Sequence, residues 1–164
     1  IAPSLQALQD SPKATYQFVM ILENDESAQS RDKMNNTMLC YKEFGKYENN
    51  ADVLRFVIET IDGRPTAKTT KLEFLQDKTI DLIQADAKLF RKVITDNLLS
   101  TKVLIKKAIE SGVISKRGDY LYLRKDNSPL CGNNEDPTLN SAARFLNLPK
   151  NQEIKFYLEA QVKE

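Results

Sequence analysis

The chain has 164 residues, room for one typical domain or two small ones, and a chain of this size buries roughly 70% of its unfolded surface without needing a staple. Its 41% hydrophobic content, with seven Phe and six Tyr, excludes wholesale disorder, and 24 Lys and Arg against 23 Asp and Glu exclude a polycation or an acidic tail protein. The absence of histidine removes the usual general base near neutral pH, the usual zinc ligand and the residue that activates a Ser or Cys nucleophile.

In chain order, residues 1–14 carry Pro3 and Pro12 with little periodicity and are expected to form an extended arm. Thr15–Glu23 and Thr37–Glu43 are apolar blocks with aromatic or β-branched members, expected as strands on either side of a polar loop, Asn24–Asn36. Val53–Ile61 is rich in β-formers, breaks at Asp62-Gly63-Arg64-Pro65 and resumes through Thr66–Phe74, the pattern of a hairpin. The segment 15–76 is therefore expected to be a small, mainly antiparallel β region.

At Asp77 the period changes. Ile80, Leu82 and Ile83, then Leu89, Phe90, Val93 and Ile94, then Leu104, Ile105, Ala108 and Ile109 mark three short helices, the third running from a cap at Ser100 to Gly112. Val113–Lys116 and Tyr120–Leu123 flank Arg117-Gly118-Asp119 as a compact hairpin. A loop over Arg124–Asp136 and two helices, Pro137–Asn147 and Pro149–Val162, follow, with prolines at the helix starts. The expected fold class is α+β: a β-rich N-terminal part joined to a helical module, 77–164, with a hairpin. A helix leading directly into a two-stranded wing makes that module winged-helix-like.

Cys40 and Cys131 stand far apart without a Cys-x-x-Cys, so two free thiols are expected, with neither a zinc site nor a disulfide. No glycine-rich phosphate loop occurs among the five glycines. The adjacent acid pairs Asp25-Glu26 and Glu135-Asp136 diverge on loops and make no metal or glycosidase site. No catalytic residue, cofactor, metal or small-molecule substrate is expected. The longest clean apolar run is Phe18–Leu22, far short of a bilayer crossing, so a soluble chain without membrane contact is expected. The opening Ile1-Ala2-Pro3 lacks the features of a signal peptide.

Charge is uneven. Residues 1–87 hold ten basic and fourteen acidic side chains, whereas 88–125 hold ten basic (Lys88, Arg91, Lys92, Lys102, Lys106, Lys107, Lys116, Arg117, Arg124, Lys125) and three acidic ones (Asp96, Glu110, Asp119). Lys102, Lys106 and Lys107 fall opposite the Leu104/Ala108 stripe, and with Lys116 and Arg117 they are the candidate nucleic-acid-binding residues, able to neutralise phosphates without reading bases. Tyr120 and Tyr122 share one face of the second hairpin strand, suited either to packing or to stacking on bases. The opposing expectation is a solvated helix face whose charge the acidic segment offsets.

The run Ala108-Ile109-Glu110-Ser111-Gly112-Val113-Ile114-Ser115-Lys116-Arg117-Gly118-Asp119-Tyr120-Leu121-Tyr122, a polar turn into Leu130, then Ala143-Arg144-Phe145-Leu146 and Pro149-Lys150-Asn151-Gln152-Glu153-Ile154 resembles the C-terminal module of uncharacterised virion structural proteins of tailed bacteriophages. The similarity spans about half the chain, including the preceding helix pair, with Lys88-Leu89-Phe90 before Val103 to Ala108. The order helix, hairpin, helix is also similar to the small C-terminal domain of RecA-type recombinases, although this chain lacks their phosphate-binding loop. The resemblance implies a non-enzymatic structural or assembly component of a phage head or neck. It would reside in the virion, and in the host cytoplasm during assembly. Its partners would be other virion proteins, including copies of itself. The alternative is a nucleic-acid-binding module using the basic face of 88–125, with DNA as the partner.

Overall fold

The computed structural model describes residues 12–163, with side chains from Asp25 onward. It is mostly helical, 67% helix, and its one sheet among the described residues has two strands. The elements are α1 (Pro12–Tyr47), α2 (Ala51–Asp62), α3 (Leu72–Ala85), α4 (Ala87–Ile94), α5 (Leu99–Glu110), β1 (Ile114–Arg117), β2 (Tyr120–Leu123), α6 (Leu139–Asn147), a 3-10 turn (Pro149–Asn151) and α7 (Gln152–Lys163).

The expected β-rich N-terminal part is therefore corrected: no strand occurs before Ile114 among the described residues. Thr15–Glu23, Asn24–Asn36 and Thr37–Glu43, expected as strand, loop and strand, all lie in α1. The arm, expected over 1–14, gives up residues 12–14 to the same helix, and its first eleven residues lie outside those described. An apolar run of five to nine residues fits a buried helix as well as a strand, and here the longer period decides. Asn36, Cys40, Phe44 and Tyr47 recur on one helical face, turned toward the core.

The supposed hairpin of Val53–Phe74 has the same explanation. Val53, Leu54, Phe56, Val57 and Ile58 are all buried, and with the polar side of α2 narrowed to Asp52, Arg55 and Glu59 the run reads as a strand as readily as a helix. Its ends carry helix signals: Asn50 Oδ1 accepts from the Val53 N–H at 3.2 Å, and Gly63 adopts φ 70 while donating to Glu59 O. Asp62-Gly63 is thus a helix stop, not a strand turn. The segment 63–71 is irregular, and α3 begins at Leu72, five residues before the expected change of period.

Beyond Asp77 the elements lie close to their expected places. Asp86 caps α4 by accepting from the Leu89 N–H at 3.1 Å. Helix α5 starts at Leu99, so Ser100, expected as its cap, lies inside the first turn, just after Asp96 Oδ1 accepts from Leu98 N–H at 2.9 Å; the helix ends at Glu110, two residues before Gly112, whose φ of 78 excludes most side chains. The hairpin pairs Ile114 with Leu123 and Arg117 with Tyr120. Thr138 caps α6, and the side chains of Asn151 and Gln152 donate to Phe145 O and Leu146 O at its other end.

Helix α5 is common to two cores. Leu99 and Val103 pack with Cys40, Val53, Phe56, Val57, Ile83, Phe90 and Ile94 of α1–α4. Ile105 and Ala108 pack with Ile114, Leu121, Leu123, Leu130, Ala142, Ala143, Leu146 and Leu158 of the hairpin, α6 and α7. A smaller cluster, Leu54, Ile58, Leu75 and Leu82, joins α2 to α3. Thr101, buried, donates to Asn147 Oδ1 at 2.9 Å and ties α5 to α6.

Candidate nucleic-acid interface and its charge partners

The five candidate basic residues fall into two groups. Those of α5 are tied to carboxylates. Lys107 Nζ lies 2.8 Å from Asp52, Lys106 Nζ pairs with Glu59 Oε2, and Lys102 Nζ pairs with Asp96 Oδ2. The Lys106 ammonium is enclosed and has no acceptor other than that carboxylate. In the same row Arg55, 4% exposed, meets Glu110 Oε1 at 2.6 Å and Thr66 O at 3.3 Å. Asp52, Arg55 and Glu59 of α2 thus oppose Lys107, Glu110 and Lys106 of α5, charge against charge. Spacings of three and four residues put each trio on one side of its helix.

The expectation that Lys102, Lys106 and Lys107 share a solvent-facing surface is accordingly corrected: Lys102 and Lys106 lie mostly inside, against α2 and the 95–98 turn. A helix with Val103 and Ile105 directed into two different cores leaves little of its circumference to solvent. Burial pushes the Asp96 carboxyl up, but hydrogen bonds from the Lys102 ammonium and the Leu98 N–H outweigh it and hold the group below the usual range.

Lys116 and Arg117 are exposed on the hairpin, and among the described residues neither has a carboxylate within ion-pair distance. The Arg117 guanidinium stands 5.5 Å from the Tyr122 ring centre, and the Tyr122 and Tyr120 rings are stacked at 6.2 Å. Lys125 instead lies over Tyr157 of α7, and Arg124 donates to Gly112 O.

Two open clefts complete the surface. One of about 1060 Å³ between α1 and α4 is lined by Asp32, Lys33, Asn36, Asp86, Lys88 and Arg91, with Arg91 donating to Asn36 Oδ1 at 3.1 Å. The other, about 630 Å³, lies where α4 meets α6, between Leu89, Val93, Leu98, Leu139 and Arg144. Neither brings a nucleophile to a base. Among the described residues no group of three or more Cys, Asp or Glu is arranged to hold a metal ion, and no helix is long and apolar enough to cross a membrane. Cys40 is buried, its Sγ donating to Ala87 O at 3.1 Å, and burial raises its thiol pKa despite the charge of Arg91 nearby.

Comparison of the chain with protein-family models, with curated proteins and with solved structures finds no match.

Proposed function

We propose that this protein is a non-enzymatic structural or assembly component of a tailed-bacteriophage virion, at the head or neck, acting through protein–protein contacts. The observation that carries the reading is the free face of α1. Met34, Met38 and Tyr41, at spacings of four and three residues, form one stripe and are 59%, 55% and 37% exposed. Every described side chain from Asp25 to Asn35 is exposed as well, so α1, about 54 Å long at 1.5 Å per residue, extends beyond the part packed on α4. A long helix whose apolar stripe stands exposed among the described residues, with the Gln84 amide meeting the Tyr41 hydroxyl at 3.5 Å, suits docking against another protein.

The resemblance of residues 108–154 to virion proteins supplies the setting. The internal neutralisation of α5 weighs against the rival nucleic-acid module built on Lys102, Lys106 and Lys107, since each of those charges already has its partner. In purified particles the protein should appear in fixed copy number, and the double variant Met34→Asp/Met38→Asp should fold normally yet be lost from them. A chain recovered only free from infected-cell lysate, or a double variant incorporated like the parent, overturns the reading.

A further inference from the structure

We propose that the outer face of the hairpin is a stacking platform for single-stranded nucleic acid, a site independent of the assembly reading and distinct from the α5 lysines. The register places Arg117 opposite Tyr120 and Ser115 opposite Tyr122, so these four side chains share one face. A third extended segment joins them: Leu123 N–H donates to Ser128 O, Leu130 N–H donates to Leu121 O, and Pro129 bridges Tyr122. The opposite face sends Ile114, Leu121, Leu123 and Leu130 into the core and holds the platform rigid. Outward stand two aromatic rings, a guanidinium and an exposed proline, with Tyr120 48% exposed.

Three features select the ligand. Tyrosine rings accept any base by stacking, and Arg117, beside Tyr122, adds a cation where a phosphate or a base plane would pass. Arg117 has no carboxylate partner among the described residues, so its charge is available on this face, whereas Lys116 lies by register on the opposite face with Leu121. The two ring planes lie within 24° of each other at 6.2 Å, and a ring can stack only on a base that is unpaired and turned out of its own stack, as on a single strand. Nothing on this face reads base edges, so binding should be independent of sequence.

The test is fluorescence anisotropy with labelled oligo-dT and oligo-U strands of about 12 nucleotides and a duplex of equal length, at low salt, with the full chain. Both single strands should bind more tightly than the duplex, and log affinity should fall with log salt at a shallow slope of about −0.7, for the one phosphate that Arg117 can meet. Tyr120→Ala, Tyr122→Ala and Arg117→Glu should each weaken binding about tenfold or more. The double variant Lys102→Gln/Lys107→Gln should stay within about twofold of the parent if it keeps the parent's circular dichroism spectrum. Tyr120 and Arg117 are exposed, so their variants keep the fold even where Tyr122→Ala disturbs it. No binding at about 200 μM protein, tighter binding of the duplex, or undiminished binding by Tyr120→Ala and Arg117→Glu overturns the proposal and leaves the platform as a protein contact.

Discussion

Helix α5 and the hairpin that follows it are neighbours in sequence and similarly rich in basic residues, yet their charges have opposite fates. On α5 the lysines meet Asp52, Glu59 and Asp96, and Glu110 of the same helix receives Arg55. On the hairpin Lys116 and Arg117 meet water and a tyrosine ring. The difference follows from geometry. A helix shared by two cores must lay its polar residues along its neighbours, and charges taken out of water persist only when paired. A two-stranded sheet with one buried face presents its other face to solvent, where cations need no partner. Basic composition therefore marks solvent-facing cations on the hairpin and a structural seam on α5.

Five substitutions would break or sharpen that contrast. The largest effect is expected from Glu110→Gln, which leaves the buried Arg55 guanidinium without its closest counter-charge: about 3–5 kcal/mol by urea unfolding, and roughly 10 °C in Tm. A loss below about 1 kcal/mol would show that the seam is ornamental.

Lys106→Met should cost about 1–3 kcal/mol, because Glu59 loses its ammonium but keeps the Thr66 N–H at 2.7 Å and some access to water.

Asp96→Asn is smaller and tests pH. The folded-state pKa of Asp96 is lowered, so its charge stabilises the fold above the ordinary carboxylate value near 4, and that increment disappears as pH falls from there through the folded value. The asparagine keeps an acceptor for the Leu98 N–H. The variant should therefore lose under about 1 kcal/mol at pH 7 and show a shallower acid limb in unfolding titrations below about pH 4.

Smallest of all, Lys116→Ala and Arg117→Ala should change stability by no more than about 0.5 kcal/mol in the same assay. A larger loss would place the hairpin cations in the seam after all.

The amino-acid sequence alone determined the C-terminal half of the fold well. There, Gly112 just after α5 and Pro149 ahead of α7 bracket the short stripes as expected, whereas the caps at Asp86 and Thr138 were not read from the sequence. Local hydrogen-bonding chemistry sets those boundaries, and it needs no knowledge of distant residues. That Tyr120 and Tyr122 share one face was legible for the same reason, since strand alternation is a local rule, whereas the direction of that face was not.

Only the tertiary structure decided the N-terminal half and the state of the basic cluster. Helix α2 is enclosed by α3, α4 and α5, so its polar side narrows to Asp52, Arg55 and Glu59 and the run Val53–Ile58 holds one polar residue, as a buried strand would, while Asp62-Gly63 serves a helix end as readily as a turn. The cluster of Lys102, Lys106 and Lys107 was visible in composition, but two of its three counter-charges, Asp52 and Glu59, stand more than forty residues away. Whether a lysine is solvated or spent in an ion pair depends on which helix lies across from it, and that is fixed by how α2 and α5 pack around their common core, a contact no local pattern encodes.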